Sequence, residues 1–287
     1  MSEIRISGNE QIADWIETTI ISDGTGSAGN TSIEGRARAA ISAEAPAVGL
    51  AFMTMKRRSQ LLGAQYPFEV TPVGILCSPS ARSNPYTALL LMTPEGLARQ
   101  SVNPTPTQSM AELFERIACR AMVGLLGPES VALRFGWPSD IGRPVNFPAA
   151  IKWLAEKMRI SPGNAYRPPR RKDGGVDVVA WRPFPDGRSG FPVVLVQCTL
   201  GREILTKASD IDVRNWAGWL TLDADPATAL AVPGTVPADE SWNELAAKCL
   251  VLDRIRLIGL LEGTSEEPIA GLESEVADLL LRLANVS

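Results

Sequence analysis

The chain has no histidine among its 287 residues. That absence excludes the Ser-His-Asp and Cys-His nucleophile systems, the HNH-type nucleases and every zinc site built on imidazole. Chemistry is left to carboxylates, lysine, amides or a bound metal. Cysteine is scarce: Cys77, Cys119, Cys198 and Cys249 lie far apart without a CxxC pair. This argues against a zinc knuckle or a disulfide framework and fits a reducing compartment. No apolar run reaches the roughly 18 residues of a membrane span. Residues 1–10 are polar and acidic where a secretory leader is basic and then apolar, so a cytoplasmic protein without membrane contact is expected. An excess of positive charge is also missing. With 28 Lys and Arg against 32 Asp and Glu, the net charge of -4 excludes a uniformly basic nucleic-acid coat but allows local patches.

What is present is globular. A hydrophobic content of 45% with 21% charged residues suffices for a buried core and predicts one or two domains. Helical spacing covers 9–21, a Ser/Gly-rich interruption follows at 22–30, and a second helix is expected over 33–45. After an apolar stretch at 48–55, two β-like runs follow at 68–77 and 86–92, so residues 1–100 are expected to form an α+β domain for targeting or assembly. The aperiodic segment QSVNPTPTQ at 100–108 is the best boundary, and a second unit is expected over 109–287. It opens with Ser109-Met-Ala-Glu112, which reads as a capping box, and a helix that stops at Gly127-Pro128. Another helix is expected at 147–158, strands at 176–181 and 191–200, a Trp-rich helix at 212–220 and a strand at 249–252.

The two strands at 176–181 and 191–200 read as a hairpin carrying polar groups in otherwise apolar runs. Asp177 follows Gly174-Gly175, and Gln197 ends the run 193–196. Alternation puts Gln197 on the side of Val193, Leu195 and Thr199. A carboxylate and an amide oxygen side by side on adjacent strands suit a hard divalent cation, which takes oxygen ligands and keeps several waters. Such an ion serves phosphodiester hydrolysis, with a lysine nearby to position water or stabilise the developing charge; Lys207 is the candidate.

The text DGGVDVVAW at 173–181, QCTLG at 197–201 and VLDRIRL at 251–257 resembles the restriction-endonuclease-like PD-(D/E)XK nuclease superfamily, especially bacterial members with a Gln-Cys-x-x-Gly segment. The resemblance spans about 109–261. It implies an α/β fold: an α/β/α core around a central mixed sheet, here with the N-terminal α+β domain added. It also implies Asp177 and Gln197 as ligands of Mg²⁺ or Mn²⁺, the backbone carbonyl of Cys198 as a further ligand, and a helical glutamate, Glu115 in LFERIACRAM. Independently, Glu115 shares its helix side with Ala111, Ala118, Cys119 and Met122, where a carboxylate needs a partner or a metal. The family's lysine two residues after the second ligand is here Thr199, so the resemblance leaves Lys207, ten residues beyond Gln197, to take that role.

Between Lys157 and Arg188, eight basic residues face three acidic ones, and Arg167, Arg170, Arg171 and Lys172 are the candidate phosphate-contacting group. Trp216, Trp219 and Trp242 are expected in the core rather than against bases. The glycines of 23–30 lack the Gly-Lys-Ser/Thr ending of a P-loop. The expected function is therefore metal-dependent endonuclease action on DNA. By resemblance this would serve bacterial anti-phage defence beside an ATPase or sensor partner, with a homo-oligomer open. The alternative is an inactive nuclease-fold module that binds nucleic acid or a partner protein, which the threonine at 199 favours.

Overall fold

The computed structural model describes residues 8–98, 105–164, 167–169, 173–265 and 267–284. The first part of the chain runs α1 (Asn9–Ser22), β1 (Ser27–Gly29), α2 (Asn30–Ile41), α3 (Ala45–Leu62), β2 (Phe68–Val70), β3 (Gly74–Cys77), α4 (Pro85–Leu91) and α5 (Pro94–Ala98). Its three strands form a small antiparallel sheet in the order β1-β3-β2. Gly74 is required there: a Cβ at that position would lie 2.3 Å from the Ala28 carbonyl oxygen. The run 68–77 is a hairpin, closed where the Thr71 hydroxyl accepts the Gly74 N–H at 3.1 Å.

The strand expected at 86–92 is helix α4 instead. Asn84 caps it by accepting the Tyr86 N–H at 2.8 Å, and Pro85 occupies its first turn. Residues 86–91 are all buried, and a short apolar run of that kind has no period that separates strand from helix; the cap decides.

The second part runs α6 (Gln108–Leu126), β4 (Val131–Arg134), α7 (Phe147–Met158), β5 (Val178–Trp181), β6 (Val193–Cys198), α8 (Ile204–Lys207), α9 (Val213–Trp219), β7 (Ala227–Ala231), α10 (Glu240–Ala246), β8 (Leu250–Leu252), α11 (Arg254–Gly259) and α12 (Leu272–Ala284). The N-cap of α6 is Thr107, whose hydroxyl accepts the Met110 N–H at 3.3 Å. Ser109 thus lies inside the first turn, and Glu112 accepts from the Gln108 amide at 3.2 Å rather than closing a box on the serine. At the other end Gly127 terminates the helix with φ 92.

The protein is mixed α/β, with a mixed five-stranded sheet ordered β4-β5-β6-β7-β8. β4, β5 and β6 pair antiparallel, while β6, β7 and β8 run parallel. Alternation sorts the strands' side chains. Val178, Ala180, Val194 and Val196 join the cluster that contains α6, α11 and α12, whereas Val179, Trp181, Val193 and Leu195 pack with α7 and α9. Residues 100–104 of the expected boundary lie outside the described residues. On either side of it one apolar cluster is shared, with Ile16, Met55 and Leu89 in contact with the same core as Phe114, Leu257 and Val276.

A buried ionic network crosses the same junction. Glu17, fully buried on α1, accepts from Tyr66 at 2.6 Å, from Tyr86 at 2.8 Å and from Arg58 at 2.8 Å. Arg58 also pairs with Asp14 at 2.7 Å, and Asp14 in turn pairs with the fully buried Arg254 of α11. Removing one partner of such a set leaves charge without compensation. Arg58→Met, which keeps most of the volume, is expected to cost about 3–5 kcal/mol in denaturant unfolding; a loss below about 1 kcal/mol would show the network to be dispensable.

Candidate functional site

The register of β5 on β6 builds the site. The ladder ends with Val178 opposite Val196; just beyond it the Asp177 N–H also bonds to the Val196 carbonyl, at 2.9 Å, and Gln197 reaches Asp177 through its side-chain amide. The Asp177 carbonyl accepts the N–H groups of Phe135 at 2.7 Å and Gly136 at 3.0 Å, which ties the end of β4 to the same point. Gly174 and Gly175 turn the chain into β5 with φ 68 and 79, and Asp173 closes that turn by accepting the Gly175 N–H at 2.8 Å. A side chain at 175 would also meet the Asp210 carbonyl oxygen at 2.8 Å.

Asp177 Oδ2 accepts two hydrogen bonds, from Gln197 Nε2 and from the Cys198 N–H, both at 2.7 Å. Gln197 Nε2 also donates to the Cys198 carbonyl at 3.1 Å. The other end of that amide, Gln197 Oε1, is buried and has no donor among the described residues. A buried acceptor left without a partner carries a desolvation penalty of about 1–3 kcal/mol. The amide nitrogen is the end that meets the Asp177 carboxylate, so a cation shared by Asp177 and Gln197 Oε1 requires the amide to turn over.

Glu115, on α6, is buried with Oε2 held at 2.8 Å by Arg134 Nε. Its carboxyl is pushed upward by burial, against the opposing hydrogen bond and charge of Arg134. Asp177 is pushed up to about 8, first by burial and then by the Glu115 charge, with the Cys198 N–H and Lys207 acting the other way. Asp173 adds negative charge to both. The structure thus brings Asp177, Gln197, Cys198 and Glu115 into one acidic neighbourhood, and Arg134 and Asp173 belong to it although sequence reasoning did not select them.

Lys207 sits on the short helix α8 and is not in bulk solvent: its side chain is 29% exposed and its ammonium pairs with Asp210 Oδ2 at 3.2 Å. Its charge reaches Asp177, but as the least of the influences on that group. At the family's lysine position, Thr199 is buried and its hydroxyl accepts the Gly201 N–H at 3.2 Å. The Cys198 thiol is held well above its ordinary value by burial and by Asp177, so only its carbonyl is a plausible ligand.

Among the described residues no three Asp, Glu or Cys side chains converge closely enough to hold a metal alone. A Mg²⁺ ion here would draw on Asp177, Glu115 and the Cys198 carbonyl, completed by water, with the Gln197 oxygen added only once its amide leaves Asp177 and that carbonyl. Arg167 is exposed, while Arg170, Arg171 and Lys172 lie outside the described residues. Trp216 and Trp219 are buried, packed edge-on with each other and against Phe135 and Phe147, which removes them as base-stacking platforms. Trp242 is half-buried under Arg256, whose guanidinium lies 4.4 Å from its ring. The glycines at 24 and 26 turn α1 into β1 with φ 70 and 67. Among the described residues no helix is long and apolar enough to cross a membrane. Compared with known proteins, the chain matches no family, no curated protein and no solved structure.

The electrostatics give a pH test. In the folded, metal-free protein Asp177 stays protonated up to about pH 8, whereas in the unfolded chain it ionises near its ordinary value of 3.8. The stability it contributes is complete below that lower value and is lost as pH rises toward 8. Asp177→Asn keeps a neutral, hydrogen-bonding group. In EDTA it is expected to raise Tm over wild type by about 4 °C or more at pH 8.5 and by much less at pH 5. An equal effect at both pH values in thermal unfolding would contradict the raised pKa.

Proposed function

We propose that the protein is a Mg²⁺- or Mn²⁺-dependent endonuclease of the restriction-endonuclease-like PD-(D/E)XK type, acting on DNA. The observation that carries this reading is the buried Asp177 carboxylate bonded to the Gln197 amide, whose own oxygen is buried without a donor among the described residues. A chain without histidine is left with few other ways to activate water for phosphodiester attack. The bound ion supplies Lewis acidity toward the phosphoryl oxygen and a lowered pKa for a coordinated water. The chain's own part is to bind and orient. Asp177 is held by two N–H donors on one oxygen, Glu115 adds negative charge, and Lys207 offers an ammonium that must leave Asp210 to stabilise charge developing on phosphorus. The sheet order and the helices on both faces support the same fold type, and the basic residues at 157–188 support contact with phosphates. A role in defence against foreign DNA, beside an ATPase or sensor partner, belongs to the same proposal.

A second reading, an inactive module of this fold that binds nucleic acid or a partner, is favoured by Thr199 at the lysine position and by the Lys207–Asp210 pair. Plasmid nicking in Mg²⁺ or Mn²⁺ separates the two. Wild type is expected to nick, Asp177→Ala to lose at least about 100-fold and Lys207→Ala about 100-fold. Undiminished cleavage by both variants removes this site, and no cleavage by wild type favours the binding module.

A further inference from the structure

Arg134 is the last residue of β4 and is 4% exposed. Its Nε donates to Glu115 Oε2 at 2.8 Å, and its Nη1 ion-pairs with Asp140 Oδ1 at 2.6 Å. Asp140 is held on its other oxygen by Arg116 Nη2 at 2.9 Å, and Arg116 also pairs with Glu112 at 3.4 Å. The result is a chain of alternating charge, Arg116–Asp140–Arg134–Glu115. It begins and ends on α6 and passes through the β4–α7 loop and the end of β4. Two residues after Arg134, Gly136 leaves room for the Glu115 carboxylate: a Cβ there would lie 3.1 Å from Oε2 and 3.2 Å from Oε1. Among the described residues Glu115 Oε1 takes no hydrogen bond.

We infer that Arg134, anchored by Asp140, is the positioning residue for Glu115: it fixes the carboxylate through Oε2 and leaves Oε1 free for the cation held with Asp177 and Gln197. This rests on the metal-dependent nuclease reading. Two effects of the guanidinium have opposite signs. Its positive charge repels a cation, while its hold on Glu115 orients a ligand oxygen toward one. Because Asp140 and Glu115 both cover the guanidinium, the second effect dominates. Second partners of this kind typically change metal affinity 10–100-fold.

The experiment compares wild type, Arg134→Gln, Arg134→Lys and Asp140→Asn by Mn²⁺ titration calorimetry on the whole metal-free protein and by plasmid cleavage across Mn²⁺ concentrations. Arg134→Gln is expected to weaken Mn²⁺ binding about 10–100-fold and to move the cleavage midpoint by the same factor, with cleavage at saturating metal changed only a few-fold. Arg134→Lys, which can still reach Glu115, is expected to recover part of the loss, and Asp140→Asn to shift affinity in the same direction by less. Unchanged or tighter binding in Arg134→Gln, or in Asp140→Asn if the first variant does not fold, overturns the inference while wild-type cleavage keeps the nuclease reading. A wild type that neither takes up Mn²⁺ nor cleaves overturns both.

Discussion

The antiparallel register of β5 on β6 is the constraint from which the site follows. Pairing Val178 with Val196 brings Asp177 and Gln197 together at the end of the ladder, where the amide of one donates to the carboxylate of the other. A slip of one residue would turn either group to the opposite face and separate carboxylate from amide. Apolar side chains on both faces hold that register, since each strand of the pair is buried above and below. Polar groups survive only at the strand ends, where the backbone N–H of Cys198 and the amide of Gln197 can meet the carboxylate.

Two sets of buried charge then play different parts. Around Glu17, Arg58, Asp14 and Arg254 every carboxylate has an arginine or a tyrosine hydroxyl against it, and the set joins α1, α3 and α4 to α11. Around Asp177 the balance is left open. Asp173, Glu115 and Asp177 repel one another, Arg134 is shared with Asp140, and Lys207 is turned to Asp210. There a carboxyl is pushed up to about 8 by burial and by the Glu115 charge, and the oxygen of the amide bonded to it has no donor among the described residues.

Much of this was legible in the chain. DGGVDVVAW and FPVVLVQCTL announce a hairpin with two polar interruptions, and the placement of Glu115 among Ala111, Ala118 and Met122 marked it as an inward carboxylate. Other features were not legible. The buried run 86–92 has no period to distinguish helix from strand, and β7 with the sequence ATALA carries no strand signal, because alanine is depleted in strands and only the two parallel neighbours make it one. Arg134 gave no signal, since an arginine ending a short strand is ordinary until the fold sets it between Glu115 and Asp140. Lys207 was expected on chemical grounds alone, and its pairing with Asp210 three residues on, which depends on the turn of α8 and its C-terminal end, was not legible.

The proposed site depends on one cation meeting Asp177 and Gln197 at the end of that strand pair. Diffraction from crystals soaked in Mn²⁺, with anomalous differences collected, tests this directly. A single strong peak within coordination distance, roughly 2.0–2.4 Å, of an Asp177 oxygen and Gln197 Oε1 is the predicted result. Manganese bound elsewhere, with the Gln197 amide still turned away and Asp177 uncoordinated, would contradict it.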